Sequence, residues 1–314
     1  MTTAGVVPSE ALIKDLLDSL DALFGLHPGF RPVHAKGVMC EGTFVPTEDA
    51  RRLTKAEHVQ RESTPVIVRF SNFAGVPTVP DNDPAGGGPR GFAVRFQLAA
   101  HSHTDIVGHS EDGFPVRTGE EFLELARALV ASGPDAAKPT LLDKFFERFP
   151  KAKAFFDAPK PIPASYALEN YFAVNAYEFI NKEGVSKFGR FRIRPEGGSK
   201  HLTTEDAASR SEHFLRDEMS ARLAAAPAKM DIFVQIADIA DVTDDATVHW
   251  PESRQEVKFG TLTLSKVAND QDPELKKIIF DPIPRIDGME PSADPLIEVR
   301  AAIYLMSGRR RRKG

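Results

Sequence analysis

Eight strand-like runs, split into two groups of four by a helical stretch, limit what this chain can fold into. The first group covers residues 33–45, 65–70, 91–98 and 104–108, and the second 171–180, 188–194, 231–240 and 257–264. Segments such as Val66-Ile67-Val68-Arg69-Phe70 and Phe92-Ala93-Val94-Arg95-Phe96 concentrate the β-branched and aromatic residues that suit a pleated, half-buried surface. Between the groups, residues 118–157 switch to helical spacing, with apolar stripes over 120–130 and 141–149 broken by Gly133-Pro134 and Pro139. A further helix is expected over 204–225. Strands arranged this way predict an α+β fold: one closed eight-stranded antiparallel β-barrel with surrounding helices. No internal repeat and no linker composition is present, so the 314 residues are expected to form a single domain, 1–314.

The ends carry their own signals. Leu12, Leu16, Leu17, Leu20, Leu23 and Phe24 recur at helical spacing between Ser9, an N-cap residue, and Gly25, a stop. Residues 1–27 therefore read as an N-terminal helix and lead-in. At the other end Asp294-Pro295 opens a helix running to about Tyr304, and Arg309-Arg310-Arg311-Arg312-Lys313 reads as a solvated basic tail. A net charge of −5 argues against a nucleic-acid binder. No run of about 18 apolar residues is present, so no membrane span is expected. Cys40 is the one cysteine, which excludes an intrachain disulfide, fits a reducing compartment and reads as a buried structural thiol. With no basic segment ahead of an apolar core at the N-terminus, a cytoplasmic protein is expected. The Gly-rich segment Asp81-Asn82-Asp83-Pro84-Ala85-Gly86-Gly87-Gly88 lacks the lysine signature of a phosphate cradle and reads as a flexible loop.

Two sites invite chemistry. In Arg31-Pro32-Val33-His34-Ala35-Lys36-Gly37 a histidine lies between cations. Read as the start of a strand, the segment puts His34 and Lys36 on one face, while Pro32 frees Arg31 to turn inward. Such a histidine suits proton transfer beside an anion, although a hydrogen-bonded barrel histidine is the simpler reading of the heptad alone. In the last helix Arg300 and Tyr304 stand four apart on one face. An adjacent guanidinium favours phenolate over phenol, and phenolate is one of the few side-chain ligands used by haem iron. By itself such a pair is as consistent with surface stacking. His101 and His103 alternate on one strand face, but with no third ligand at suitable spacing they read as exposed strand histidines.

Taken together, these segments resemble the haem catalase superfamily. The Arg31–Gly37 heptad is similar to the catalase distal-histidine segment. Thr64-Pro65-Val66-Ile67-Val68-Arg69-Phe70-Ser71, Pro89-Arg90-Gly91-Phe92-Ala93-Val94-Arg95-Phe96 and Asp105-Ile106-Val107-Gly108 follow in the family's order. Val174-Asn175-Ala176, Trp250-Pro251, Phe280-Asp281-Pro282 and Arg300–Tyr304 continue it. The resemblance implies a catalase-core barrel holding haem b. It implies that His34 is the distal acid–base and that Ser71 orients it. Tyr304 would be the iron ligand, supported by Arg300, and Arg31, Arg69 and Arg311 would clamp the haem carboxylates. Val33 matches the apolar residue that catalases carry before the distal histidine; catalase-fold allene oxide synthases carry threonine there.

Departures from the pattern shape the functional expectation. Catalases place a peroxide-binding asparagine after the strand matched here to 104–108. Counting on from Gly108 puts His109 at that place, and counting back from Pro115 puts Asp112 there. The long arms of full catalases are also missing, so the chain is similar to the small catalase-related peroxidases, and a homodimer is expected. The expected activity is reduction of hydrogen or organic peroxides by small organic electron donors, with weak catalase activity. A catalase-fold lyase or isomerase of lipid hydroperoxides, and a haem-binding protein without turnover, are the alternatives.

Overall fold

In a computed structural model describing residues 7–100, 102–269 and 272–313, ten strands pair antiparallel. They are β1 (Gly37–Pro46), β2 (Thr64–Ser71), β3 (Gly91–Ala99), β4 (Ser102–His109), β5 (Tyr171–Phe172), β6 (Tyr177–Ile180), β7 (Ser186–Pro195), β8 (Ala228–Ile236), β9 (Glu256–Val267) and β10 (Met289–Pro291). Eight of them close a ring in the order β1-β2-β3-β4-β5-β7-β8-β9, because β9 pairs back onto β1. β6 extends the pairing along β7 beyond β5, and β10 pairs with β6. Inward side chains fill the barrel with aromatic rings. Phe44, Phe70, Phe92, Phe96, Tyr166, Tyr171, Phe179, Phe191 and Phe259 are all fully buried, and a closed ring leaves no exposed sheet edge.

The helices are α1 (Glu10–Phe24), α2 (Glu48–Leu53), α3 (Glu57–Gln60), α4 (Gly119–Ala131), α5 (Leu141–Arg148), α6 (Pro150–Asp157), α7 (Thr204–Ala208), α8 (Phe214–Ala225), α9 (Pro273–Lys276) and α10 (Pro295–Arg311). Several begin at side chains that satisfy otherwise unpaired backbone amides. Ser9 caps α1, Thr118 and Glu121 form a capping box on α4, and Asp294 accepts from the Leu296 amide at 2.9 Å to open α10. α1, α4 and α10 share an apolar contact through Ile13, Leu16, Leu17, Leu123, Val299 and Ile303, which anchors α10 against the body. No helix among the described residues is long and apolar enough to cross a membrane.

Four expectations need correcting. The first strand starts at Gly37 rather than Val33, so His34 and Lys36 do not share a strand face. The expected strand 171–180 breaks between β5 and β6, releasing Asn175 for contacts outside the sheet. The expected helix 204–225 divides into α7 and α8. There Asn82 takes the Ala207 and Arg210 carbonyls at 3.1 and 3.3 Å, while Asp81 holds the Leu215 amide at 2.9 Å. Finally, the basic run is not a loose tail. α10 continues through Arg311, Arg310 pairs with Asp21 of α1 at 2.6 Å, and Arg312 donates to the Lys277 carbonyl at 2.6 Å. His101 lies outside the described residues, and His103 is half-buried on β4. Cys40 is buried.

The aromatic interior is expected to carry much of the stability. The Phe44 ring lies 5.0 Å from Phe96 and 5.9 Å from Phe259. Truncation there leaves a cavity that a closed wall of strands cannot collapse into. Phe44→Ala should lose about 3–5 kcal/mol, read as a shift of the urea midpoint. A loss below about 1 kcal/mol would show that the barrel relaxes around the gap.

Candidate active site

Strand register assembles the first part of the site. Gly37 pairs with Ser71, Ser71 with Gly91, and Gly91 with His109. These residues form one row across β1–β4, so Ser71 and His109 project from the same face of the wall. Arg69, Ala93 and Val107 form the next row on that face. Phe70 and Phe92, one position along, point into the barrel core. The site is thus built on the outer surface of the barrel. Gly91 keeps the middle of its row clear: a Cβ there would run into Ser71 Oγ and come within 2.7 Å of His34 Nδ1.

His34 reaches this surface from a turn. Its backbone is left-handed, with φ +57°, a conformation costing a non-glycine residue roughly 1–3 kcal/mol. Surrounding bonds over-determine it. The His34 amide donates to the Phe73 carbonyl at 2.7 Å, the Ala35 amide donates to Ala74 at 3.1 Å, and the Arg69 guanidinium donates to the His34 carbonyl at 2.7 Å. Val33 precedes it, half-buried. The imidazole Nδ1 lies 2.9 Å from the Asn72 carbonyl and 3.2 Å from Ser71 Oγ. A carbonyl only accepts, so this contact assigns the proton to Nδ1 and leaves Nε2 with a lone pair. Burial, and next the Arg69 charge, lower the His34 pKa to about 4 despite the Asn72 carbonyl, so the ring is neutral at pH 7.

His109 has the opposite arrangement. The Glu111 amide donates to its Nδ1 at 3.2 Å, which assigns the proton to Nε2. That Nε2 is buried and has no hydrogen-bond partner. Burial, and then Arg300 and His34, push His109 down to about 3. Asp112, the other candidate for the asparagine place, turns away and pairs with Arg192 at 3.0 Å. Of the two countings, the one from Gly108 puts a side chain at the site.

A continuous polar chain holds the opposite side. Asp294, at the start of α10, accepts from Asn175 Nδ2 at 2.8 Å. Asn175 Oδ1 accepts from Arg300, and the Arg300 Nε–H donates to the Tyr304 hydroxyl at 3.2 Å. Arg300 also reaches the Val107 carbonyl on β4 at 3.4 Å, tying the helix to the barrel wall. Burial works against the Arg300 charge, but the Tyr304 and Tyr177 phenols and Asp294 outweigh it and hold the guanidinium above its ordinary value.

Arg31, Arg69 and Arg311 converge nearby. Arg31 and Arg311 both donate to the Ile278 carbonyl, at 3.2 and 2.8 Å. Burial lowers all three; Arg69 and Arg311 further depress Arg31, and Arg311 helps bring Arg69 to about 10. Among the described residues none of the three has a carboxylate partner, and Arg311 Nε has no hydrogen-bond partner. Clustered guanidiniums without protein carboxylates suit a ligand bringing its own carboxylates, and the Tyr304 oxygen is a hard anionic donor beside a cation. These residues fit a haem.

A barrel whose outer wall carries a neutral distal-type histidine, opposite a helix presenting an Arg–Tyr pair and an arginine cluster, defines a haem-binding oxidoreductase. Residues 29–314 match the family described as Catalase. The chain is 31% identical to a catalase-related peroxidase of Synechococcus elongatus, over 100% of this chain and 93% of that protein. It is 33% identical to a catalase-related peroxidase of Mycolicibacterium paratuberculosis, over 97% and 95%. A solved bacterial catalase superposes with a TM-score of 0.79 at 23% identity, covering 99% of this chain and 62% of that one. Catalase A from Saccharomyces cerevisiae gives 0.78 at 20%, covering 90% and 61%. The chain therefore spans less than two thirds of those solved catalases. The chain belongs to the catalase family, and with that membership come a haem cofactor and peroxide chemistry.

Asn72 and Asn175 also belong to the site, although single asparagines in connecting segments carry no periodic signal that would assign them a role. Asn72 is tied down by Asp81 at 2.8 Å, Tyr166 at 2.8 Å and Arg90.

A depressed histidine leaves a pH signature. Below about pH 6.5 the unfolded chain protonates His109, whereas the folded site resists until about pH 3. The unfolded state then binds more protons, so stability falls as pH falls, by about 1.4 kcal/mol per pH unit for one such group. His109→Asn should give a stability profile shallower by about that slope between about pH 6 and pH 4, measured by urea denaturation at a series of pH values. Parallel profiles would mean that His109 titrates normally in the fold.

Proposed function

We propose that this protein is a haem b peroxidase that reduces hydrogen or organic peroxides with small organic donors and has weak catalase activity. The observation that carries this is the pair of neutral histidines with opposite tautomers, His109 on the wall and His34 brought to it by a turn. Haem b, when bound, supplies the iron at which the peroxide O–O bond is cleaved and stores the oxidising equivalents.

The side chains have separable tasks in this reading. Tyr304 would hold the iron through its phenol oxygen, to which the Arg300 Nε–H donates. Arg31, Arg69 and Arg311 would hold the haem carboxylates. His34 takes the peroxide proton on Nε2 and returns it to the departing oxygen. Ser71 and the Asn72 carbonyl fix the tautomer that makes this possible. Val33 stands where the catalase-fold allene oxide synthases carry threonine, which disfavours the lyase alternative. His109 offers an Nε2–H donor in place of the asparagine amide. One N–H on a rigid ring replaces a flexible amide, so a second peroxide is held less well, and organic donors compete for the oxidising equivalents. We further place the protein in the cytoplasm, as a single catalase-core domain assembled into a homodimer. The exposed apolar Leu26 and Phe30 beside the end of α1 support a self-association surface there.

Three measurements test this reading. Donor oxidation, followed with a chromogenic phenol, should exceed oxygen evolution on the same preparation; oxygen evolution that swamps donor turnover would refute the assigned balance. His34→Ala should retain haem and lose roughly 10²–10⁴-fold in its rate with peroxide by stopped flow; wild-type speed would remove His34 from proton transfer. Tyr304→Phe should weaken haem retention and abolish the phenolate-ligand absorption bands, and an unchanged spectrum would identify another ligand.

A further inference from the structure

A cavity of about 410 Å³ opens between the segment after β4, helix α6 and residues 247–249. Phe114 and Phe155 form part of its wall, and Glu111, Lys151, Thr247 and His249 supply its polar groups. The same two phenylalanines flank His109: their ring centroids lie 6.3 and 6.2 Å from the imidazole. Glu111 completes the link, since its amide donates to His109 Nδ1 at 3.2 Å. An occupant would therefore touch the shell that holds the distal face.

The lining selects a class of ligand. Two aromatic rings suit a flat ring, through offset or edge-to-face contact, and the volume falls in the usual range for small-molecule sites. Most of the polar lining is already engaged. Asp112 is paired with Arg192 at 3.0 Å, and Lys151 donates to Thr247 Oγ1 at 3.1 Å. His249 packs on Gly113, where a Cβ would come within 2.7 Å of its Nε2. The Glu111 carboxylate has no ion-pair partner among the described residues, and it is the acceptor available for a ligand hydroxyl.

We infer that this cavity is the electron-donor site, and that it takes a small neutral phenol whose ring lies against Phe114 and Phe155 and whose hydroxyl donates to Glu111. The inference rests on the peroxidase reading above and names its donor class. Each phenol gives one electron to the oxidising equivalents left by peroxide and its hydroxyl proton to Glu111, and leaves as a phenoxyl radical. Two phenols and one hydrogen peroxide yield two radicals and two waters, the protons from Glu111 ending in water. Burial, with Glu169 and Asp112 acting against Lys160, raises the Glu111 carboxyl to about 7, which suits an acceptor working near neutral pH.

Calorimetric titration of the haem-loaded protein with p-cresol, without peroxide, tests the site apart from turnover. One saturable site per chain is expected. Phe155→Ala should weaken it at least tenfold and Phe155→Leu less, while Glu111→Gln should weaken it several-fold. Leu141→Ser, an exposed position outside the cavity, should bind as wild type. With peroxide added, KM for p-cresol should rise in the same order. No saturable site, or wild-type affinity in a folded Phe155→Ala protein, overturns the assignment. Turnover at wild-type KM in Phe155→Ala removes this pocket and leaves the peroxidase reading standing. Tight p-cresol binding without peroxide-dependent oxidation removes the peroxidase reading, and the donor role falls with it.

Discussion

Arg300 is the contact on which the two halves of the site depend. It is half-buried in α10, yet its partners come from three places: the Val107 carbonyl on β4, the Asn175 side-chain oxygen between β5 and β6, and the Tyr304 hydroxyl one turn along. Removing such a cation would leave the Asn175 oxygen and the phenol without their shared donor in a desolvated region, a cost of about 1–3 kcal/mol for each group stranded. The same contacts fix the distance from helix to wall. That spacing sets where Tyr304 stands relative to the row containing Ser71, Gly91 and His109. The break between β5 and β6 is therefore functional, since an unbroken strand would commit the Asn175 backbone to the ladder.

The wall is a device for separating two environments with one register. Alternation sends Phe70 and Phe92 into the aromatic barrel core and Arg69, Ser71 and His109 to the outer face. A slip of one residue would exchange the two sets and put an arginine among phenylalanines. Packing of the barrel interior thus guards the register of the chemistry outside it. Strand rows place Arg69, Ser71 and His109, and α10 brings Arg300, Tyr304 and Arg311. The turn ahead of β1 delivers His34, with Arg31 from the same segment.

That turn marks the limit of what the sequence makes legible. The eight-strand barrel, the capped α1 and the Arg300–Tyr304 pair all follow from periodic patterns, although β1 starts later than expected and the 171–180 run divides. His34 does not. Its left-handed backbone is imposed by the Phe73 and Ala74 carbonyls, which come from the end of β2, distant in sequence, and no local pattern announces them. The choice between His109 and Asp112 is hidden for a related reason. Both lie beyond the strand expected over 104–108, and only the pairing of Gly91 with His109 at the end of β4 shows which residue remains on the wall. The basic run looks like a tail because five adjacent cations repel one another. It becomes helix because Asp21 and the carbonyls of Lys277 and Ile278 take up its charges.

The two histidines follow from one electrostatic condition. Arg31, Arg69 and Arg300 crowd the site with positive charge, and a protonated imidazole there would add to it at low effective dielectric. Burial first, and this charge second, keep both rings neutral, and a neutral imidazole must divide its nitrogens into one donor and one acceptor. Backbone groups decide which: the Asn72 carbonyl claims the Nδ1–H of His34, and the Glu111 amide claims the Nδ1 lone pair of His109. A base and a donor are thereby built from the same residue type, without any titration near neutral pH. The arginines that suit the carboxylates of a haem and the histidines that suit a peroxide are coupled in this way. The excess cationic charge that favours the first adds to burial in holding the second in its working protonation state.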